Sequence, residues 1–372
     1  MICKNCVMDT SDVRISFDEN GVCDNCINYQ ENIIPFYREN IKNNNFEKIS
    51  NKIIEEGKGK DFDCILGMSG GLDSSYLLHK IVTQYNLRPL VFHVDAGWNS
   101  DIAIGNIRKL TSGLGLDLYT EVINWPEMRS LQTAFFKSGV PHIDVPQDHA
   151  FISVLYHYAS KFKIKYILNG GNFSTEGIRN PLSWLYFGSD KRQLIDINSK
   201  YGTKELEYYP ITNILWHKFY LPYFRGIKVF KPLNYIEYKK DDAEKELFEI
   251  YGWKGYPQKH FESRFTRFFE GYWLIERFGF DTRKPQFSSL IVSGQMTRDE
   301  ALRRLQTRPL PEDMAREEFE YIADKLTISV AELQSYLIAP HKNYKDFRNM
   351  AWVYDLGSSV MSMLGLERAA KR

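Results

Sequence analysis

The sequence has 372 residues, is 43% hydrophobic, and carries 48 basic against 47 acidic side chains for a net charge of +1. A chain of this length can bury a large core split into two or three units, and the near balance of charge excludes a broad electrostatic footprint for nucleic acid. No apolar run reaches the roughly 20 residues of a membrane helix, and the opening MICKNC lacks signal-peptide character, so the expected location is cytoplasmic.

The first motif is Cys3, Cys6, Cys23 and Cys26, in the spacing C-x2-C-x16-C-x2-C. That spacing suits a four-thiolate zinc site in which each CxxC makes one knuckle, and DENGVCDNC places a turn just before the second pair. A disulfide pair is disfavoured in a reducing compartment, and an iron–sulfur cluster is the other alternative. With all four positions filled by cysteine, no coordination position is left for catalysis. The fifth cysteine, Cys64, reads as a small buried apolar residue. Residues 28 to 60 read as polar helix and linker, broken by NNN at 43 to 45 and EGKGK at 56 to 60.

DCILGMSGGLDSSYLLHK follows, residues 63 to 80. Cys64 to Met68 is an apolar run fit for one buried strand, and Leu77, Leu78, Ile81, Val82 and Tyr85 recur at helical spacing after it. Gly70 and Gly71 therefore lie at a strand-to-helix turn, where the lack of a Cβ lets backbone N–H groups converge beside a helix N-terminus. Ser69, Ser74 and Ser75 add hydroxyls, which makes an anion cradle; the plainer reading is a tight glycine turn with a serine cap. The string has neither the spacing nor the lysine of GxxxxGK[ST], and it is not GxGxxG. Asp73 stands near the cradle, and a carboxylate beside phosphates requires a cation between them.

Further along, LRPLVFHVDAGW reads as a second buried strand ending at Asp95, residues 100 to 113 as a helix, and LDLYTEVIN as a third strand. DHAFISVLYHYASKF reads as a helix capped by Asp148, and IKYILNGGN as a fourth strand ending at Gly170 and Gly171. Strands alternating with helices imply a doubly wound parallel α/β sheet that binds ligands at the carboxyl ends of its strands. From about residue 240 the pattern is helical, with capping boxes at Thr297 to Glu300 and Ser329 to Glu332. The expected organisation is a zinc module and linker over 1–45, a nucleotide-binding unit over 46–240 and a helical region over 241–372.

Within GWKGYPQKHFESRFTRFFEGYWLIERFGF, residues 252 to 280, Phe261, Phe265, Phe268, Tyr272 and Ile275 share one helical stripe, read as core packing. Arg264 and Arg267 share another face, where guanidinium forks suit phosphate or carboxylate. Lys259, His260 and Glu262 stand at the helix entrance.

SGGLDSS resembles the pyrophosphate loop of the PP-loop ATP pyrophosphatases, whose fold is of the adenine nucleotide alpha hydrolase-like type. The resemblance implies ATP on Ser69, Gly70, Gly71, Asp73, Ser74, Ser75 and Asp95, with Asp73 on magnesium. ILNGGNFSTEG resembles the Gly-Asn-x-x-Glu segment of amide-forming members such as NAD synthetase, with one extra residue between Asn172 and Glu176. It implies close backbone approach at Gly170 and Gly171, a hydrogen bond to the nucleotide from Asn172, and Glu176 on magnesium. FKPLNYIEYKK resembles the PL-xxxxx-K segment of the superfamily, in which Lys239 fits best, with Lys240 beside it, to neutralise charge on the α-phosphate.

From CKNCVMDT through FDENGVCDNC, GMSGGLDSS and HVDAGWNS to SSLIVSGQMTRDEAL, the chain resembles the N-acetyl sugar amidotransferases of surface-polysaccharide pathways, the LPS WbpG and pseudaminic-acid PseA type. That implies ATP, magnesium and a structural zinc. It also implies adenylation of the acetamido oxygen of a nucleotide-linked sugar, and displacement of AMP by ammonia to give an acetamidino sugar. Lys259, His260, Arg264 and Arg267 would bind the substrate, and His260 or Glu262 would deprotonate ammonia. No glutaminase nucleophile remains: Ile2 follows Met1, Cys3 is assigned to zinc and Cys64 lies in a strand. Ammonia would come from a HisH-like glutaminase through a HisF-like barrel. The rival readings are a PP-loop tRNA thiolase, which calls for further cysteines near the nucleotide, and a non-catalytic zinc- and nucleotide-binding protein.

Overall fold

The computed structural model describes residues 1–363. Strands β1 Cys64–Gly67, β2 Pro89–Asp95, β3 Leu118–Val122, β4 Tyr166–Leu168 and β5 Lys228–Phe230 form one sheet in the order β3-β2-β1-β4-β5. All neighbours pair in parallel. The chain steps outward from β1 through β2 to β3, then returns to the other side of β1 for β4, so the winding reverses between β1 and β4. In open α/β sheets that reversal opens a ligand crevice beyond the carboxyl ends of the strands.

Strand periodicity assigns the two faces. Ile65, Leu90, Phe92 and Val94 enter one core, while Cys64, Leu66 and Val91 enter the other. The first core also holds Phe135, Phe136, Phe265, Phe268, Trp273 and Phe319, so helices from beyond residue 240 share it with the sheet. The second packs Leu77, Leu78 and Ile81 of helix Leu72–Thr83 against Leu247 and Trp253.

Some expected elements shift. The helix expected to be capped by Asp148 runs Val145–Lys161 with Asp144 before it, because Pro146 suits the first turn and Asp148 falls inside it. Helix Trp125–Ser138 precedes it, opened by Asn124, whose side chain accepts from Glu127 N–H. β5 is not among the expected strands; it ends at Phe230, the first residue of FKPLNYIEYKK, and is too short to show a period. The caps at Thr297 and Ser329 do accept from the N–H groups of Glu300 and Glu332, at 3.2 and 3.0 Å.

The aromatic stripe of 261 to 275 changes register. Helix Arg264–Phe268 passes through a π-helical turn, Phe269–Trp273, before helix Leu274–Phe278. The wider turn moves Phe269, Trp273 and Leu274 into the core where Tyr272 and Ile275 were expected, and it carries Glu270 inward. Such turns occur often at functional sites.

Candidate active site

β1 ends below the SGGLDSS loop. Gly70 has φ +83°, and a Cβ there would stand 2.7 Å from the Ala103 carbonyl oxygen, so only glycine allows the loop to lie this close to its neighbouring helix. The Gly70 carbonyl accepts from Tyr256 Oη at 3.0 Å. Gly71 precedes the first residue of helix Leu72–Thr83; its N–H donates to Ser69 Oγ at 3.2 Å, and Ser69 Oγ lies 3.3 Å from Ser74 Oγ. Ser69 and Ser74 line the cavity above. Ser75 does not: it is buried and accepts from Trp253 Nε1 at 3.2 Å, which anchors the loop from behind.

Because β4 is the neighbour of β1, its NGGN loop meets the first loop. A Cβ on Gly170 would lie 2.9 Å from the Asp73 carbonyl carbon and the Ser74 nitrogen, so glycine is needed for this backbone contact. Asn172 is buried and caps the one-turn helix Phe173–Glu176, accepting from Thr175 N at 2.8 Å. It therefore shapes its own loop and does not face the cavity, contrary to the nucleotide contact expected of it. The one-turn helix also accounts for the shifted spacing to Glu176.

The capped turn brings Thr175 and Glu176 to Asp73, with Lys259 between them. Lys259 Nζ lies 2.7 Å from Asp73 Oδ2, 2.7 Å from Glu176 Oε1 and 2.9 Å from Thr175 Oγ1, and Tyr238 Oη donates to the other Asp73 oxygen. Burial opposes the lysine charge, but the two carboxylates raise its pKa. Burial likewise works against the Glu176 charge, which Lys259 and Lys231 nevertheless hold down to about 2. The two carboxylates and the hydroxyl are hard-oxygen donors of the type magnesium takes, and the Lys259 ammonium lies at the point where they converge.

Of the lysines near Pro232, Lys239 is exposed and outside the cavity, because its extended backbone turns it opposite to the buried Tyr238. Lys240 lines the cavity, and Lys231 sits beside Gly171, whose added Cβ would lie 3.1 Å from Lys231 Nζ. Asp95 accepts from Gly97 N at 2.8 Å and Asn99 Nδ2 at 3.0 Å, shaping the turn after β2 instead of facing the cavity.

That turn receives residues 262 to 264. Ser100 N donates to the Glu262 carbonyl at 3.0 Å, Arg264 N to the Trp98 carbonyl at 2.8 Å, and Asn99 pairs with Ser263. Glu262 is thereby held over the loop, accepting from Ser69 Oγ at 3.2 Å, and burial raises its pKa. His260 has φ +67°, a left-handed conformation that costs a non-glycine residue about 1–3 kcal/mol. Its Nδ1 lies 3.0 Å from Glu270 Oε1. Burial would lower its pKa, but the Glu270 carboxylate takes it up to about 9. The Glu270 carboxylate thus favours the charged form of His260, while Glu262 places a carboxylate beside Ser69 of the loop.

Arg264 and Arg267 do not reach the cavity. Arg264 Nη2 donates to Glu318 Oε1 at 2.9 Å and its guanidinium stacks 3.4 Å above the Tyr321 ring, while Arg267 Nη2 binds the same buried carboxylate oxygen. Their forks meet a carboxylate within the chain, not a ligand.

The cavity encloses about 710 Å³. Phe92, Val94, Leu155 and Leu168 give it an apolar wall near the sheet, and His142, Asp144, Gln147, Asp148 and Thr266 form a polar cluster in the same cavity. His142 Nδ1 contacts the Tyr186 carbonyl at 2.7 Å and Nε2 lies 3.3 Å from Asp148 Oδ2. Asp144 accepts from Thr266 Oγ1 at 2.7 Å, and burial together with the Asp148 charge pushes its pKa up to about 8. This cluster, with Thr175, Lys231, Tyr238, Tyr256 and Glu270, escaped the sequence reading. The side chains that meet here are separated by as much as 193 residues for Ser69 and Glu262 and 186 for Lys259 and Asp73, and no local pattern marks such pairs.

At the N-terminus the four cysteine sulfurs lie within 4.8 Å of one another, with Cys6–Cys23 and Cys23–Cys26 at 3.6 Å and Cys3–Cys26 at 4.0 Å. A tetrahedron with zinc–sulfur bonds of about 2.3 Å has edges of about 3.8 Å, so the site fits zinc. Backbone N–H groups of Cys6 and Cys23 point at Cys3 Sγ, at 3.4 and 3.2 Å. The module touches the loop after β4, where Tyr29 Oη donates to the Phe173 carbonyl at 3.2 Å, and the helix Arg298–Leu305, whose Arg298 donates to the carbonyls of Cys3 and Cys6.

No curated protein matches this chain in sequence. Among solved structures it is similar to the NH3-dependent NAD synthetase from Campylobacter jejuni, at 14% identity over 57% of this chain and 83% of that one, with a TM-score of 0.29. It is also similar to the NMN synthetase from Francisella tularensis, at 13% identity over 75% and 92% of the two chains with a TM-score of 0.32. The NAD+ synthetase from Burkholderia pseudomallei gives 14% identity over 60% and 91%, with a TM-score of 0.23. Residues 262–361 match the family described as "LPS biosynthesis protein WbpG-like, C-terminal domain". The stretch that matches the WbpG-like C-terminal domain begins at Glu262 and carries Glu270 and Glu318.

Proposed function

We propose that the chain is a cytoplasmic, ATP-dependent amidotransferase that converts the acetamido group of a nucleotide-linked N-acetyl sugar to an acetamidino group. The observation that carries this reading is the convergence, at the reversal between β1 and β4, of the Ser69–Gly71–Ser74 cradle with Asp73, Thr175 and Glu176 around one cation, under Glu262 of the WbpG-like domain.

An amide carbon is a poor electrophile until its oxygen is made a leaving group. In the proposed reaction the acetamido oxygen attacks the α-phosphorus of ATP, the Pα–O–Pβ bond breaks, and pyrophosphate leaves on the Ser69–Ser74 cradle and the N-terminus of helix Leu72–Thr83. Ammonia then adds to the imidate carbon, a proton passes to Glu262, and AMP departs with the C–O bond. Asp73, Glu176 and Thr175 would hold magnesium, which when bound neutralises charge between phosphate oxygens. Lys231 and Lys240 supply further positive charge beside the loop. The apolar wall of Phe92, Val94 and Leu155 suits a nucleobase, and the polar cluster of His142, Gln147 and Asp148 suits the hydroxyls of a sugar.

Ammonia is proposed to arrive from a HisH-like glutaminase through a HisF-like barrel. The test is an assay of AMP and pyrophosphate release from ATP, with ammonium and a panel of UDP- and CMP-linked N-acetyl sugars. AMP formation that requires both ammonium and one of the sugars supports the proposal; AMP formation indifferent to every sugar would overturn it. Efficient use of glutamine by the isolated chain would overturn the proposed partners.

A further inference from the structure

His260 stands out by its backbone. Among the described non-glycine residues with positive φ, it alone lines the cavity. A strained conformation persists only where surrounding contacts over-determine it, and here those contacts can be followed. Glu270 is buried on the π-helical turn Phe269–Trp273, with one carboxylate oxygen 3.0 Å from His260 Nδ1. Its other oxygen accepts from Thr282 Oγ1 at 3.1 Å and from Gln286 Nε2 at 3.5 Å. Gln286 Oε1 in turn accepts from Gln258 Nε2 at 2.6 Å. Glu270 thus pins the strained turn at His260 directly and, through Gln286, at Gln258.

A carboxylate on one ring nitrogen fixes the imidazole and favours its charged form, leaving the other nitrogen as an N–H donor. We infer that Glu270 is a positioning residue that holds His260 as a fixed imidazolium in the wall of the cavity, as a hydrogen-bond donor to negative charge growing on the α-phosphoryl oxygens. The catalytic role given to His260 rests on the proposed adenylation; its charge state does not. The charged groups that act on His260 are Glu270 and Glu262, which favour its cation, Lys259, which opposes it, and Glu176, whose own charge His260 helps to stabilise. The direct bond to Glu270 decides the balance in favour of the cation. Proton acceptance from ammonia then falls to Glu262 alone.

The test uses the full, zinc-loaded chain and E270Q, which keeps the shape and an acceptor but removes the charge. Histidine side-chain NMR, with His260 assigned by its loss in H260Q, should show His260 titrating near pH 9 in the wild type and below pH 7 in E270Q. E270D should restore part of the shift. In the AMP-release assay E270Q should lose about tenfold or more of kcat at pH 8, and its activity should fall with rising pH about two units earlier than that of the wild type. A merely structural Glu270 would lower stability without moving either pH profile. A neutral His260 in the wild type at pH 7.5, or an unchanged titration in E270Q, would overturn the inference. Absence of turnover with every sugar would count against the proposed function instead, because the NMR titration needs no substrate.

Discussion

Asp73 is the residue on which the site turns, since its two oxygens are engaged by Tyr238 and Lys259 and it shares that lysine with Glu176. Asp73→Asn removes one of two carboxylates that would hold magnesium while keeping the shape. It is expected to lower AMP formation by about 100-fold or more, with an unchanged circular dichroism spectrum; wild-type turnover would dismiss the assignment. Asp144 offers a test by pH. Folding raises its pKa from the ordinary carboxyl range to about 8, so its contribution to stability is full below that ordinary range and is lost as pH rises towards 8. Asp144→Asn has no charge to bury, and the Thr266 hydroxyl can reverse to accept from it. Its melting temperature should match the wild type near pH 4 and exceed it by a few degrees at pH 9. Arg264 and Arg267 make the opposite point. Replacing both by alanine leaves Glu318 buried and uncompensated, at a cost of about 3–5 kcal/mol. Denaturant titration should register that loss, and the KM for sugar should be unchanged in the protein that folds.

At the level of elements, the site is two strand-to-helix turns pressed together. Gly170→Ala would put a methyl group against the backbone of Asp73 and Ser74, where no flexible side chain can yield. It is expected to separate the two turns and to raise the KM for ATP by about tenfold or more, with a smaller effect on thermal stability. The same substitution at Gly105, whose added Cβ meets nothing within 4 Å, should leave the KM for ATP unchanged. Equal effects at the two positions would mean that the contact between β1 and β4 loops does not set ATP affinity.

At the scale of the whole molecule, the N-terminal cysteine module and the stretch that matches the WbpG-like family meet the sheet's carboxyl edge by different means. The domain zips Glu262 and Arg264 onto the turn after β2, and the module reaches the Glu176 loop through Tyr29. Metal analysis should find about one zinc per chain, and chelation should melt the N-terminal module and weaken ATP binding together. An iron–sulfur chromophore in anaerobically purified protein would dismiss the zinc assignment, and ATP binding unaffected by chelation would dismiss the bracing role.

The sequence by itself determined what is local. Apolar runs marked β1, β2 and β4, glycines marked the turns after β1 and β4, and cysteine spacing marked a metal knuckle, because each depends on neighbours within a turn or two of chain. It did not determine which side chains those turns would use. Asn172 and Asp95 read as ligand contacts, yet both satisfy their own backbone turns, since a short polar side chain finds the nearest N–H first. Spacing favours Lys239 over its neighbours, but strand-like alternation turns Tyr238 inward in its place. Arg264 and Arg267 found a partner 54 and 51 residues away, in a helix that only the shared core brings alongside. The pairing of Lys259 with Asp73 and Glu176, and of His260 with Glu270, was decided by the sheet order and by one π-helical turn, neither of which leaves a period in the sequence.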